Sequence, residues 1–227
     1  MSVKLAVFDM DGTLIDSLPD LADCARQLLS SYSFPEVTDT EVRAMIGNGV
    51  AALVERLLAS ALRKGADVGS ISPAEACERF MEFYTPRATR YSRLFPGTEE
   101  TLKTMRAQGW RLAVCTNKPE VAALAILERF GLFELFSCVG GGDSFPARKP
   151  DPVHLLGTIK KADGTPEQSV MIGDMSPDLI AARSAGCRSL FAAWGYGGPE
   201  LAEMADMQVA DMHDVPKAAE QLLAGSV

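Results

Sequence analysis

From Phe95 onward the chain alternates short apolar runs with helix-like stretches, and few architectures accommodate that rhythm. RLAVCTN (111–117), SVMIGD (169–174) and SLFAAWG (189–195) are each short, apolar and rich in β-forming residues, as strands buried on both faces are. SCVGGGD (137–143) is a weaker run with a glycine exit. The helix ends between them are readable. Thr98 is a candidate N-cap, Glu99 and Glu100 suit the positive end of a helix dipole, and Gly109 closes that helix. Pro119 suits the first turn of the next, with Gly131 at its end, and Ser176-Pro177-Asp178 starts a third, closed by Gly186. Strand and helix alternating at this pitch predict a parallel sheet covered on both faces. VKLAVFD (3–9) is equally apolar and belongs in its middle.

Residues 17–93 carry only helical pattern. Thr38-Asp39-Thr40-Glu41 is a capping box before Val42, Met45 and Ile46, and Ser72-Pro73-Ala74-Glu75 is a second, with GADVGSISP (65–73) as the loop between. The expected organisation is therefore an α/β fold. Residues 1–16 and 94–227 form a Rossmann-like parallel sheet core, and residues 17–93 form an inserted small helical cap domain. Such an insert is expected over the carboxyl ends of the strands, where open α/β sheets bind ligands.

Composition narrows the function. Of 227 residues, 47% are hydrophobic and 23% charged, which suits a folded chain with a sizeable core. The net charge of −8 argues against binding nucleic acid or an anionic membrane, since phosphate backbones need clustered Lys and Arg. A small anionic substrate needs only a few local cations or a bound metal. The start, MSVKLAVFDMDG, is too short an apolar run for a signal peptide or a membrane span, so a cytoplasmic location is expected. Five scattered cysteines show no zinc or redox spacing and read as reduced thiols. Cys115, beside a candidate site, could be a reactive thiol, but it reads better as a small buried strand residue.

Asp9 and Asp11 end the first apolar run, and a spacing of two puts both side chains on one side of an extended chain. Carboxylates this close repel unless a cation sits between them or one keeps its proton. A hard cation such as Mg²⁺ takes one or two carboxylates plus substrate phosphate, and an ionised Asp beside it can act as a nucleophile. Acid pairs also simply end strands. The other strand exits add to this one: Thr116-Asn117-Lys118, then Gly173-Asp174 with Asp178 four residues on, and Lys149-Pro150 in the connection between them. In a parallel sheet these exits share one edge, so carboxylates, a hydroxyl, an amide and a lysine converge on a crevice suited to a phosphate with a metal.

In these residues the sequence resembles the haloacid dehalogenase-like hydrolases. Asp9-Met10-Asp11-Gly12-Thr13-Leu14-Ile15-Asp16-Ser17 looks like their first motif, Thr116 the second, Lys149-Pro150 the third, and Gly173-Asp174 with Asp178 the fourth. Ile46-Gly47-Asn48-Gly49, Thr116-Asn117-Lys118-Pro119, Gly141-Gly142-Asp143 and Gly195-Tyr196-Gly197 resemble, more narrowly, the phosphoglycolate phosphatase-like subgroup. The resemblance implies a Mg²⁺-dependent phosphatase acting on a small phosphorylated metabolite, 2-phosphoglycolate first. The same chemistry on a sugar phosphate or pyrophosphate, or a phosphomutase, is the alternative. It further implies Asp9 as nucleophile and Asp11 as acid and then base. Mg²⁺ would be held by Asp9, the Asp11 carbonyl and Asp174, with Asp178 behind them or reaching the metal through water. Thr116 and Asn117 would hold phosphoryl oxygens, and Lys149 would stabilise the transferring charge. A dehalogenase is disfavoured because Asp11 is present. A silent binding protein would lack one of Asp9, Asp11, Lys149 or Asp174, and none is missing.

Gly47, Asn48 and Gly49 read equally as backbone N–H donors to substrate and as a turn between helices. Arg87, Arg90 and Arg93 read as an anion contact or, more simply, as a solvated face; Arg148 has a better claim by its position next to Lys149. His154 and His213 show no ligand spacing and receive no role. Trp194 reads as packing.

Overall fold

Strand β1 (Leu5–Phe8) is buried at every position. Leu5 and Val7 face a cluster with Leu155, Ile159, Ala181 and Ala182, while Phe8 on the opposite side meets Phe136 edge-on at 6.5 Å. That two-sided burial explains why β1 reads as an unbroken apolar run rather than an alternating one. The structure is a computed structural model that describes residues 3–225. The outermost residues of the expected α/β domain, 1–2 and 226–227, lie outside the described residues.

The described chain divides into two compact units, one holding the residues up to Asp16 and from Leu94 on, the other Ser17–Arg93. In the first, β1, β2 (Arg111–Cys115), β3 (Cys138–Gly140), β4 (Ser169–Gly173), β5 (Arg188–Ala192) and β6 (Met207–Val209) form one sheet. Its order is β3-β2-β1-β4-β5-β6 and every pairing is parallel. This doubly wound order reverses direction at β1, and ligands of such sheets bind at the carboxyl ends beside the reversal. Phe8 is level with Val114 of β2 and Ile172 of β4, so Asp9, Thr116 and Asp174 leave neighbouring strands at nearly one height.

One expectation about this unit is corrected, and one strand is added. Gly97, at φ +79°, takes the N-cap position of the Thr98–Ala107 helix, so Thr98 is its first residue, and its hydroxyl donates to the Leu14 carbonyl at 3.2 Å. The sheet also has β6, which the sequence reading passed over because MQV is three residues long and only its last is buried.

The second unit contains α1 (Leu18–Ser31), α2 (Asp39–Arg43), α3 (Gly49–Arg63) and α4 (Pro73–Tyr84). Leu21, Ala25, Leu28 and Leu29 of α1 and Leu53, Val54, Leu57 and Ala61 of α3 are buried at helical spacing. The Thr38 capping box forms, with Glu41 N–H donating to Thr38 Oγ1 at 3.2 Å. Ser72 precedes Pro73 as expected, but its side chain makes no capping bond.

Asp20 closes this unit on itself. The buried carboxylate accepts from Tyr91 N–H at 2.9 Å, Ser92 N–H at 2.8 Å and Ser92 Oγ at 2.5 Å. Removing it leaves buried donors without their acceptor, which costs more than the bonds themselves contribute. Asp20→Ala should therefore lower the unfolding free energy by roughly 2–4 kcal/mol in urea titration, while Ser92→Ala, losing one donor alone, should lose about 1 kcal/mol.

Candidate active site

Lys149 lies at the centre of the strand-end residues. Its ammonium is 3.0 Å from Asp9 Oδ1 and 2.6 Å from Asp178 Oδ1, and it donates to the Cys115 carbonyl. Burial opposes its charge, but Asp178 and Asp9 outweigh burial and hold the ammonium above its ordinary range. Asp178 reaches Lys149 from the first turn of the Ser176–Ala185 helix, its other oxygen accepting from Met175 N–H at 3.0 Å. It therefore stands beside Lys149 directly.

Oxygens of Asp9, Asp174 and Asp178 all lie within 4.8 Å of one another, and all three residues are buried. Burial pushes the Asp9 carboxyl up to about 7, Lys149 pulling down and Asp178 adding to the rise. Asp174 is raised well above its ordinary value by burial, then by Asp178 and Asp9. Its oxygens are aimed by Thr13 Oγ1 at 2.9 Å and Tyr196 N–H at 2.8 Å. Gly12 permits this approach: it sits at φ +87°, and a Cβ there would come within 2.2 Å of Asp174 Oδ2. Three carboxylates against one ammonium leave surplus negative charge in a dry site. An all-oxygen donor set of that charge fits a hard divalent cation.

Asp11 pairs with Lys118, whose ammonium lies 3.1 Å from its Oδ2. Thr116 is buried and its Oγ1 accepts from Lys118 N–H at 3.3 Å. Asn117 donates from Nδ2 to the Lys149 carbonyl at 2.9 Å. The structure thus brings together Asp9, Asp11, Thr116, Asn117, Lys149, Asp174 and Asp178 within one unit. Cys115 is a small buried strand residue, and burial pushes its thiol up to about 12, away from the thiolate a reactive cysteine needs. Trp194 does more than pack, since its indole N–H donates to the Thr13 carbonyl at 3.0 Å.

Gly47, Asn48 and Gly49 belong to the helical unit. Gly49 begins α3, and Asn48 precedes it without capping it. Asn48 Oδ1 instead accepts from Arg56 at 2.7 Å, and Arg56 also donates to the Met45 carbonyl. Arg56 lies about two turns of α3 beyond Asn48, a separation that carries no signal in the linear pattern. Arg87 donates to Phe83 O, Arg93 to Ser92 O, and Arg90 lies over the Tyr91 ring, each a local contact. Arg148 is exposed, as is His213, which pairs with Asp211 at 2.7 Å.

His154, given no role from sequence, is fully buried beside Lys149. Its Nδ1 accepts from Lys149 N–H at 3.1 Å, and Nε2 meets the Gly140 carbonyl at 3.1 Å. Burial and then Lys149 push it down to about 4.

A lysine and four aspartates gather at the carboxyl edge of this doubly wound sheet, an arrangement suited to a phosphate held with a hard cation. The profile of the haloacid dehalogenase-like hydrolases matches residues 6–192, and the chain belongs to that family. It is 40% identical over 198 residues to a phosphoglycolate phosphatase of Vibrio vulnificus strain YJ016, covering 87% of each chain. It is 37% identical over 219 residues to one of Cereibacter sphaeroides strain ATCC 17029, covering 96% of this chain and 98% of the relative. A crystal structure described as a predicted phosphoglycolate phosphatase of Haemophilus somnus 129PT superimposes with a TM-score of 0.90 at 34% identity, covering 96% and 98% of the two chains.

The crowded acids predict a pH signature without metal. A carboxyl whose folded value is raised binds protons more tightly folded than unfolded. Metal-free stability is therefore gained as pH falls through the folded values of Asp9 and Asp174 and lost as pH rises through them. Asp174→Asn keeps an acceptor for Tyr196 N–H and removes one charge, while the Thr13 hydroxyl, which donates to Asp174 in the wild type, turns to accept from the new amide N–H. In chelator at pH 8 it should melt about 3–6 °C above wild type, and the gap should close toward pH 4. An equal or lower melting temperature at pH 8 would contradict the repulsion.

Proposed function

We propose that this chain is a Mg²⁺-dependent phosphomonoesterase that hydrolyses a small organic phosphate, 2-phosphoglycolate first, through an aspartyl-phosphate on Asp9. The observation that carries the reading is the Asp9 carboxylate at a strand end, held 3.0 Å from a buried Lys149 ammonium and clustered with Asp174 and Asp178. The relatives' activity supports the choice of substrate.

Asp9 attacks phosphorus, and the bond to the leaving alcohol breaks as Asp11, two residues on, gives that oxygen a proton. Asp11 then takes a proton from water, which attacks phosphorus and returns Asp9 as carboxylate with free phosphate. Lys149 offsets the charge gathering on the phosphoryl oxygens, and Thr116 and Asn117 hold those oxygens. Asp9 and Asp174 would hold Mg²⁺ with the Asp11 carbonyl, Asp178 serving them through Lys149. The bound ion supplies positive charge to the phosphate and lets Asp9 stay ionised at neutral pH. The helical unit selects the leaving group, with Gly47, Asn48 and Gly49 as its substrate contacts. No helix among the described residues is long and apolar enough to cross a membrane.

Asp9→Asn keeps the shape but not the nucleophile, so kcat should fall at least roughly 10³-fold with the fold intact. Near wild-type turnover, with deamidation excluded by mass spectrometry, would refute the assignment. Chelator should abolish turnover and Mg²⁺ restore it.

Selectivity gives an independent check. Asn48→Ala releases Arg56 from its 2.7 Å partner in the helical unit. It should lower kcat/KM for 2-phosphoglycolate on the order of 10-fold while changing p-nitrophenyl phosphate less than about 3-fold. An equal loss on both would place selection elsewhere.

A further inference from the structure

We infer that His154 is a positioning residue: its unprotonated Nδ1 fixes the Lys149 backbone so that the ammonium stands between Asp9 and Asp178. The inference rests on the phosphatase reading for its kinetic consequence and on the geometry alone for its structural one.

Lys149 belongs to no strand or helix. The chain from 141 to 151 is irregular, and both neighbours, Arg148 and Pro150, are exposed. A lysine carries its ammonium on four rotatable bonds, so the ammonium's place depends on where the backbone is held. Two side chains hold it. His154 Nδ1 accepts the Lys149 N–H at 3.1 Å, and Asn117 Nδ2 donates to the Lys149 carbonyl at 2.9 Å. His154 is itself anchored from the Pro152–Lys161 helix, with Nε2 against the Gly140 carbonyl at the end of β3 at 3.1 Å and the Phe145 ring 5.8 Å away. Only one neutral tautomer satisfies both contacts. Nδ1 must accept from an N–H, and Nε2 must donate to a carbonyl. A protonated ring would set two donors against each other at Lys149 N. The burial that lowers this histidine keeps it neutral.

This arrangement distinguishes the two nitrogens of the ring, and two substitutions separate them. The Asn side-chain oxygen lies near the place of Nδ1 and keeps an acceptor for Lys149 N–H. The Gln amide nitrogen lies near the place of Nε2 and keeps a donor for Gly140, while leaving Lys149 N–H without its acceptor. With p-nitrophenyl phosphate and 2-phosphoglycolate in Mg²⁺, His154→Gln should lower kcat on the order of 10- to 100-fold with KM changed less than about 3-fold. His154→Asn should recover most of that loss. A fall of the same size in both variants, or no fall in a folded His154→Gln, would overturn the inference. The wild-type protein gives a readout independent of activity and of variant folding. The chain has two histidines, so ring ¹⁵N spectra are simply assigned. His154 should show an unprotonated Nδ1 and a protonated Nε2 across pH 6–8. The opposite tautomer, or an imidazolium, would overturn the inference. An inactive wild type with the expected tautomer would instead count against the phosphatase reading alone.

Discussion

A single buried ammonium among three carboxylates governs the arrangement of this site. Lys149 lies 3.0 and 2.6 Å from Asp9 and Asp178, and Asp174 is the third carboxylate of that cluster. Gross attraction at such distances is on the order of 5 kcal/mol for an effective dielectric of about 20, and desolvation of each ion offsets much of it. The remainder is a poise rather than a stabilisation. With all three ionised, two carboxylates exceed what the lysine neutralises; burial first, and then this like charge, raises Asp9 and Asp174. A divalent ion would complete the balance.

The sheet order makes that cluster possible. β1 is flanked by β2 and β4 in parallel register, so residues far apart in sequence leave the sheet side by side. Asp9 contributes from β1, Thr116 and Asn117 from β2, and Asp174 from β4. Lys149 comes from the irregular connection before the next helix and needs anchoring that a strand would have given it. Glycines take up the closeness elsewhere: Gly12 at φ +87° leaves room for Asp174, and a Cβ at Gly195 would meet the same side chain at 2.2 Å.

The strand exits were legible because parallel topology and strong apolar runs leave little choice about which ends meet. Asp9, Asp174, Asp178 and Lys149 follow from that argument without coordinates. Partner choice within the site was not legible. His154 has an ordinary helical position and no ligand spacing, and only burial against a loop backbone reveals its use. The Asp11–Lys118 pair and the Asn117 bond to Lys149 depend on side-chain directions that spacing does not fix. The sixth strand escaped notice because three residues with one buried position carry no periodicity, its place being held by pairing with β5. Thr98 has the residue type of a cap, whereas the left-handed Gly97 before it decides where the helix begins.

Which oxygen receives the phosphoryl group decides the proposed mechanism. Acid quenching during turnover of 2-phosphoglycolate, followed by borohydride reduction, converts an aspartyl-phosphate to homoserine, and peptide mass spectrometry locates it. Homoserine should appear at position 9 alone, in amounts that rise with substrate and vanish in chelator. Homoserine at another aspartate, or turnover with no reduced residue and an unlabelled Asp9 peptide at every quench time, would contradict it.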